Sequence, residues 1–149
     1  MKKLVLFALV MALMTGFGCS KKTTTMEPIP DSSSAIRHIE DSKVFFDFDK
    51  FDIKSDYYGA LKENADLMKK HPKIRVRIEG HCDERGTKEY NLALGALRAL
   101  AVRDYLTILG VDENQISMVS YGKERPMFIG KGEAVWSKNR RDDFKVIAK

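Results

Sequence analysis

An α+β fold is predicted for residues 42–149: a mixed sheet of about four strands packed against helices, in the order βαβαβαβ. Three observations predict it. Strand-type runs stand at 43–48 and 74–79, and the second alternates cleanly between apolar and charged residues. Apolar residues recur at helical spacing over 57–68 and 91–106. Helix and strand breakers fall at the joints, in His71-Pro72, Gly80, Gly86, Gly110 and Gly122.

The elements follow in order. Lys43-Val44-Phe45-Phe46-Asp47-Phe48 reads as a strand, and Asp49-Lys50-Phe51-Asp52 as its polar exit loop. A helix starts near Ser55, with Tyr57, Leu61, Ala65 and Met68 on one face, and His71-Pro72 stops it. In the next strand Ile74, Val76 and Ile78 face one way, and Arg75, Arg77 and Glu79 the other. Gly80 to Gly86, GHCDERG, is a loop. Thr87 is placed to cap a long helix, because its hydroxyl can take up a free N–H of the first turn. That helix runs to about Leu109, with Gly110 just past its end. Ile116 to Tyr121 is the third strand, and a Gly-rich, basic loop with Gly122, Arg125-Pro126 and Gly130 follows it. Glu133 to Asn139 is expected as a short helix with Trp136 inward, and Phe144 to Ala148 as the closing strand. The expected core is Phe45, Phe48, Leu61, Val76, Ile78, Leu94, Val102, Leu106, Val119, Phe144 and Val146.

The first 41 residues are different in kind. Lys2 and Lys3, the apolar run Leu4 to Met14 and the mostly small exit Thr15-Gly16-Phe17-Gly18-Cys19 describe a secretory signal peptide over 1–18. The apolar run is shorter than the ~20 residues a membrane-spanning helix needs. Residues 19–41 are expected to be a tether, disordered at least over Ser20–Ser34, where Thr, Ser, Lys and Pro dominate. Those fifteen residues, fully extended, could reach about 50 Å. Net charge is +5, and loss of residues 1–18 removes Lys2 and Lys3 and no acid, leaving +3. Such a balance suits an acidic polymer or anionic surface. Acids interrupt the basic residues throughout, which argues against nucleic acid. Two cysteines, Cys19 and Cys82, make no disulfide framework.

The long helix carries the strongest chemical signal. Asn91, Leu94, Gly95, Arg98, Ala99, Val102 and Leu106 fall on one stripe, so Arg98 lies on an otherwise apolar face. A buried guanidinium is costly without a partner. Arg98 either forms an internal salt bridge to Asp83 or Glu84, or clamps a ligand carboxylate with its planar fork. The two can hold together, with Asp83 orienting Arg98 until a ligand arrives.

GHCDERGTKEYNLALGALRALAVRDYL at 80–106 resembles the signature of the peptidoglycan-associated lipoproteins, within the wider OmpA C-terminal-like group. SYGKERP at 120–126, WSKNRR at 136–141 and the Phe-Asp-Phe-Asp-Lys-Phe-Asp run at 46–52 match further blocks in the same order. The resemblance covers nearly all of 43–149 and implies a domain that binds the peptidoglycan stem peptide non-covalently at meso-diaminopimelate. It implies Asp83 for the ligand ammonium and Arg98 for its carboxylate. Asn91 and Leu94 would line or orient the site, and Phe48 and Asp49 would offer backbone contacts. It also implies lipid on Cys19, an outer-membrane position facing the periplasm, and the Tol system, chiefly TolB, as partner. No cofactor, metal or nucleic acid is implied. The chain departs from the family at three places. Gly16 stands where Leu is usual before the lipidated cysteine. Leu97 stands where Arg is usual, which weakens a secondary anion contact and allows Leu97 to join the core. Asp142-Asp143 makes the start of the last strand unusually acidic, with no expected contact to Asp83 or Arg98.

Two other function classes compete. His81, Cys82, Asp83 and Glu84 form a reactive-looking quartet, yet consecutive loop residues tend to point apart and no second His or Asp lies near in sequence. His38 and His71 supply no regular metal-ligand spacing. The other class is a periplasmic protein-interaction module in which Asp83 and Arg98 only pair internally. A stator or porin relative would need a spanning helix or a barrel half.

Overall fold

The computed structural model describes residues 31–149. The signal segment, Cys19 and the tether up to residue 30 lie outside the described residues. The elements are α1 (Ser32–Asp41), β1 (Lys43–Phe45), a 3₁₀ turn (Ser55–Tyr57) leading into α2 (Tyr58–Lys70), β2 (Arg75–His81), α3 (Lys88–Ile108), β3 (Ile116–Gly122), α4 (Glu133–Asn139) and β4 (Arg141–Ala148). The expected βαβαβαβ order is present, with one helix added in front.

The four strands form one mixed sheet in the order β1-β4-β2-β3. β4 runs antiparallel to both neighbours, and β2 and β3 run parallel across the α3 crossover. The closing strand therefore sits inside the sheet. Val76, Ile78 and Gly80 of β2 pair with Val146, Phe144 and Asp142 of β4, so these residues share one face. Helices α1, α2 and α3 cover that face. Ala35, Ile39, Leu61, Ala65, Met68, Ala99, Val102 and Leu106 close the core against Val44, Val76, Ile78 and Phe144.

The caps are local. The Thr87 hydroxyl accepts from Tyr90 N at 3.1 Å, and Gly110 takes φ 90° just past the helix end. α3 lies directly on β2 where two glycines meet. A Cβ on Gly80 would stand 2.0 Å from the Gly95 carbonyl oxygen.

Four expectations need correction. The tether does not extend to residue 41. Asp31 caps α1 through Ser33 N at 2.8 Å, and Ala35 and Ile39 are buried, so α1 belongs to the folded unit. In the first strand Val44 and Phe46 point inward. Phe45 is half-buried, and Phe48 is 55% exposed because the chain turns out through Asp49 in the left-handed region (φ 58°). Val119 pairs with Glu79 and so lies on the face away from the helices, half-buried. Leu97 stays 43% exposed instead of joining the core.

Candidate ligand-binding site

The loop between β2 and α3 and the loop after β1 converge above the start of α3. They enclose a cavity of about 190 Å³. All six residues singled out from the sequence line it: Phe48, Asp49, Asp83, Asn91, Leu94 and Arg98. Cys82, Arg85, Gly86, Tyr90 and Arg140 complete the lining.

Arg98 forms the floor and is 0% exposed. Its Nε donates to Lys50 O at 2.8 Å, Nη1 to His81 O at 2.8 Å and Nη2 to Asp47 O at 3.2 Å. Cys82 Sγ lies 3.5 Å from Nη1. The guanidinium thus ties the loop after β1 to the end of β2 through carbonyls. The internal salt bridge to Asp83 or Glu84 does not form; burial holds the Arg98 pKa below the usual guanidinium value.

Asp83 sits in a separate network. Arg85 meets it from Nη2 at 2.5 Å, Nε at 3.0 Å and the backbone N at 3.1 Å, and Arg140 Nη1 adds a fourth contact at 3.2 Å. Burial pulls the Asp83 pKa up, but these hydrogen bonds outweigh it and leave the carboxyl below its ordinary value, ionised at neutral pH. Arg140, itself buried, also donates to Phe46 O at 2.9 Å and to Glu133. The Arg85 guanidinium lies 3.8 Å from the Phe48 ring centre and 4.1 Å from that of Trp136. Trp136 in turn donates to Glu84 Oε1 at 3.0 Å. Asn91 orients the loop by donating to Arg85 O at 2.7 Å and Thr87 O at 3.0 Å. Tyr90 closes one side through a hydrogen bond to Asp49.

Arg85, Arg140 and Tyr90 were missed as site residues. The pair Arg140-Arg141 at a strand start held the usable signal, because period-two alternation turns neighbouring side chains to opposite faces of the sheet.

The quartet His81 to Glu84 is split apart. Cys82 donates its S–H to Asn91 O at 3.3 Å, and burial pushes its pKa up to about 11, so it stays a thiol. His81 is buried against Tyr121, with ring centres 5.5 Å apart, and Nε2 lies 3.5 Å from Asp143. Burial lowers its pKa to about 4, so it is neutral. No nucleophile and base meet here, and among the described residues no three His, Cys, Asp or Glu stand close enough to hold a metal. The cavity has an ionised acid on one wall and a cation in the floor.

The OmpA family model matches residues 45–140, the span that holds this cavity. The chain belongs to the OmpA family and, within it, to the peptidoglycan-associated lipoproteins. It is 41% identical over 146 residues to the peptidoglycan-associated lipoprotein of Pasteurella multocida, covering 95% of this chain and 97% of that one. It is 40% identical over 147 residues to the one from Rhizobium meliloti, covering 92% and 84%. The crystal structure of the Burkholderia pseudomallei peptidoglycan-associated lipoprotein matches with a TM-score of 0.72 at 43% identity, over 80% of this chain and 99% of that one.

Proposed function

We propose that this chain binds the diaminopimelate-containing stem peptide of peptidoglycan non-covalently. Lipid on Cys19 would hold it on the periplasmic face of the outer membrane, so that the two layers are linked, with TolB and the Tol system as partners in envelope integrity and division. The carrying observation is the cavity that sets ionised Asp83 and the buried cation Arg98 on different walls. The free end of diaminopimelate offers one ammonium and one carboxylate, which those walls complement. The relatives' names, which speak of peptidoglycan and of a lipoprotein, support the same reading.

The ligand itself supplies the sharpest test. Replacing diaminopimelate by lysine in a soluble stem peptide removes the carboxylate meant for Arg98 and leaves the protein untouched. A charge-assisted hydrogen bond contributes about 1.5–3 kcal/mol, so calorimetric affinity should fall roughly ten- to a hundredfold. Arg98→Lys should lower affinity for the diaminopimelate peptide in the same range, because an ammonium cannot keep three carbonyl bonds and meet a ligand as well. Equal affinity for the two peptides would refute the site. A second reading draws on the three carbonyl bonds of Arg98, which suit a purely structural role in a protein-interaction module. That reading predicts no retention on purified sacculi, whereas the proposed function predicts co-sedimentation.

A further inference from the structure

We infer that Asp142 is a positioning residue for Arg98: when ionised it competes with a ligand carboxylate for the same guanidinium, and when protonated it leaves that guanidinium to the ligand. This rests on reading the cavity as a carboxylate-binding site.

The geometry starts from the sheet. Asp142 pairs with Val44 on β1 and with Gly80 on β2, so its side chain points to the helix-covered face beside Val44 and Phe144. An acid in that apolar row is 0% exposed, and neither carboxyl oxygen has a hydrogen-bond partner. α3 comes down close to the sheet beside it, because Gly80, its partner on β2, carries no side chain and Gly95 packs straight onto it. Arg98 lies one turn of α3 beyond Gly95.

The surrounding charges can be taken element by element. β1 offers only Val44 to this face, and Lys43 turns away toward Asp143 at 3.7 Å. β2 offers Gly80, while Glu79 and His81 alternate to the opposite face. On β4 itself, Arg141 and Asp143 pair with each other at 2.9 Å on that opposite face. The loop after β2 carries the Cys82 thiol and Asp83, both of which line the cavity. From α3 comes Arg98. Burial pushes the Asp142 pKa well up, Arg98 is the strongest opposing influence, and Asp143 and Arg141 follow with opposite signs. Asp142 in turn acts on Arg98 and on Cys82. An unpaired buried carboxylate is costly and a neutral carboxyl much less so, so two protonation states of Asp142 present Arg98 with two different fields.

Linkage then fixes the sign. Ligand carboxylate and ionised Asp142 repel while sharing one cation, so each weakens the other by the same factor. Affinity for a carboxylate-bearing stem peptide should fall as pH rises through the Asp142 transition. Cys82, at about 11, and His81, at about 4, change charge outside the range of pH 5 to 9.

The test is calorimetric titration of the wild-type protein and Asp142→Asn with a diaminopimelate stem peptide from pH 5 to 9, alongside the ¹⁵N resonance of the Arg98 guanidinium in the free protein. Wild-type affinity should drop by roughly fivefold or more across the range. Asp142→Asn should hold the low-pH affinity throughout, and the Arg98 resonance should shift with pH only in the wild type. Asp142→Val, which continues the apolar row of Phe144, serves if the Asn variant fails to fold. Parallel profiles for wild type and variant overturn the role of Asp142 while leaving the site standing. Absence of binding at every pH overturns the ligand reading and this inference together.

Discussion

Arg98 and Asp83 belong to two networks that share a cavity but not a hydrogen bond. Spacing on α3 announces that a guanidinium faces inward, and nothing in that spacing says what satisfies it. The acceptors are carbonyls of Asp47 and Lys50, about fifty positions earlier, and of His81. Backbone acceptors have no side-chain signature, so the nearest carboxylate in sequence looked like the natural partner. The residue that does bridge to Asp83 from afar is Arg140. Removing it leaves Asp83 with Arg85 alone and cuts the tie to Phe46 O. Arg140→Ala should therefore destabilise the fold by about 3 kcal/mol at pH 7, as breaking one partner of a buried pair does. The pH dependence follows from the lowered Asp83 pKa. A depressed carboxyl contributes stability that is present above its unfolded value and lost as pH falls through its folded one. The gap between wild type and variant in urea unfolding should thus be widest at pH 7 and shrink below about pH 4. A gap of equal size at pH 3 and pH 7 would show that the Asp83–Arg140 pair contributes nothing.

Helical and strand periodicity carried most elements of the fold, because each of α2, α3 and β2 buries one face and the apolar residues mark it. The misses have equally physical causes. Phe45 and Phe48 differ by an odd number of positions, so a single strand cannot turn both toward the core; the even pair Val44 and Phe46 does so. α1 hid because three serines looked like linker, although Asp31 caps it and Ala35 and Ile39 stand four residues apart on one face. Glycine positions mark turns, but they do not announce the contact between Gly80 and Gly95 that seats α3 on β2. That contact can be tested directly. The obstacle to a methyl group on Gly80 is backbone, a carbonyl oxygen 2.0 Å away, with the Gly95 Cα at 3.2 Å, and neither can rotate aside. Gly80→Ala should force α3 off the sheet and cost about 1–3 kcal/mol or more, with a matching fall in the urea midpoint. Because the displaced segment holds Asn91, Leu94 and Arg98, affinity for the stem peptide should fall with it. A variant as stable as wild type would mean that α3 slides without cost.

At the scale of the molecule, the placement of β4 between β1 and β2 is what brings Arg140 and Asp142 beneath the loops of the cavity, and periodicity cannot report which strands become neighbours. The same placement gives α1 its role. β4 runs beneath α1, where Glu40 Oε1 accepts from Val146 N at 3.1 Å and from Lys145 Nζ at 2.8 Å. Ile39 is 0% exposed, and Ala35 is buried beside it. α1 is therefore part of the domain, and a tether proposed to run from Cys19 would have to end before it. A protein shortened to start at Ser42 should lose the burial of Ile39 and Ala35 and the bond to Val146 N. Full burial of an isoleucine side chain contributes about 1.5–3 kcal/mol, and a net hydrogen bond such as that from Val146 N to the Glu40 carboxylate about 1 kcal/mol. Equilibrium urea unfolding of the shortened and full domains should differ by about 2–4 kcal/mol, with the shortened form the weaker. The loss should appear in stability far more than in binding, since α1 supplies no residue to the cavity. Equal unfolding midpoints for the two forms would mean that α1 only rests on the surface, and the domain boundary would return to Ser42.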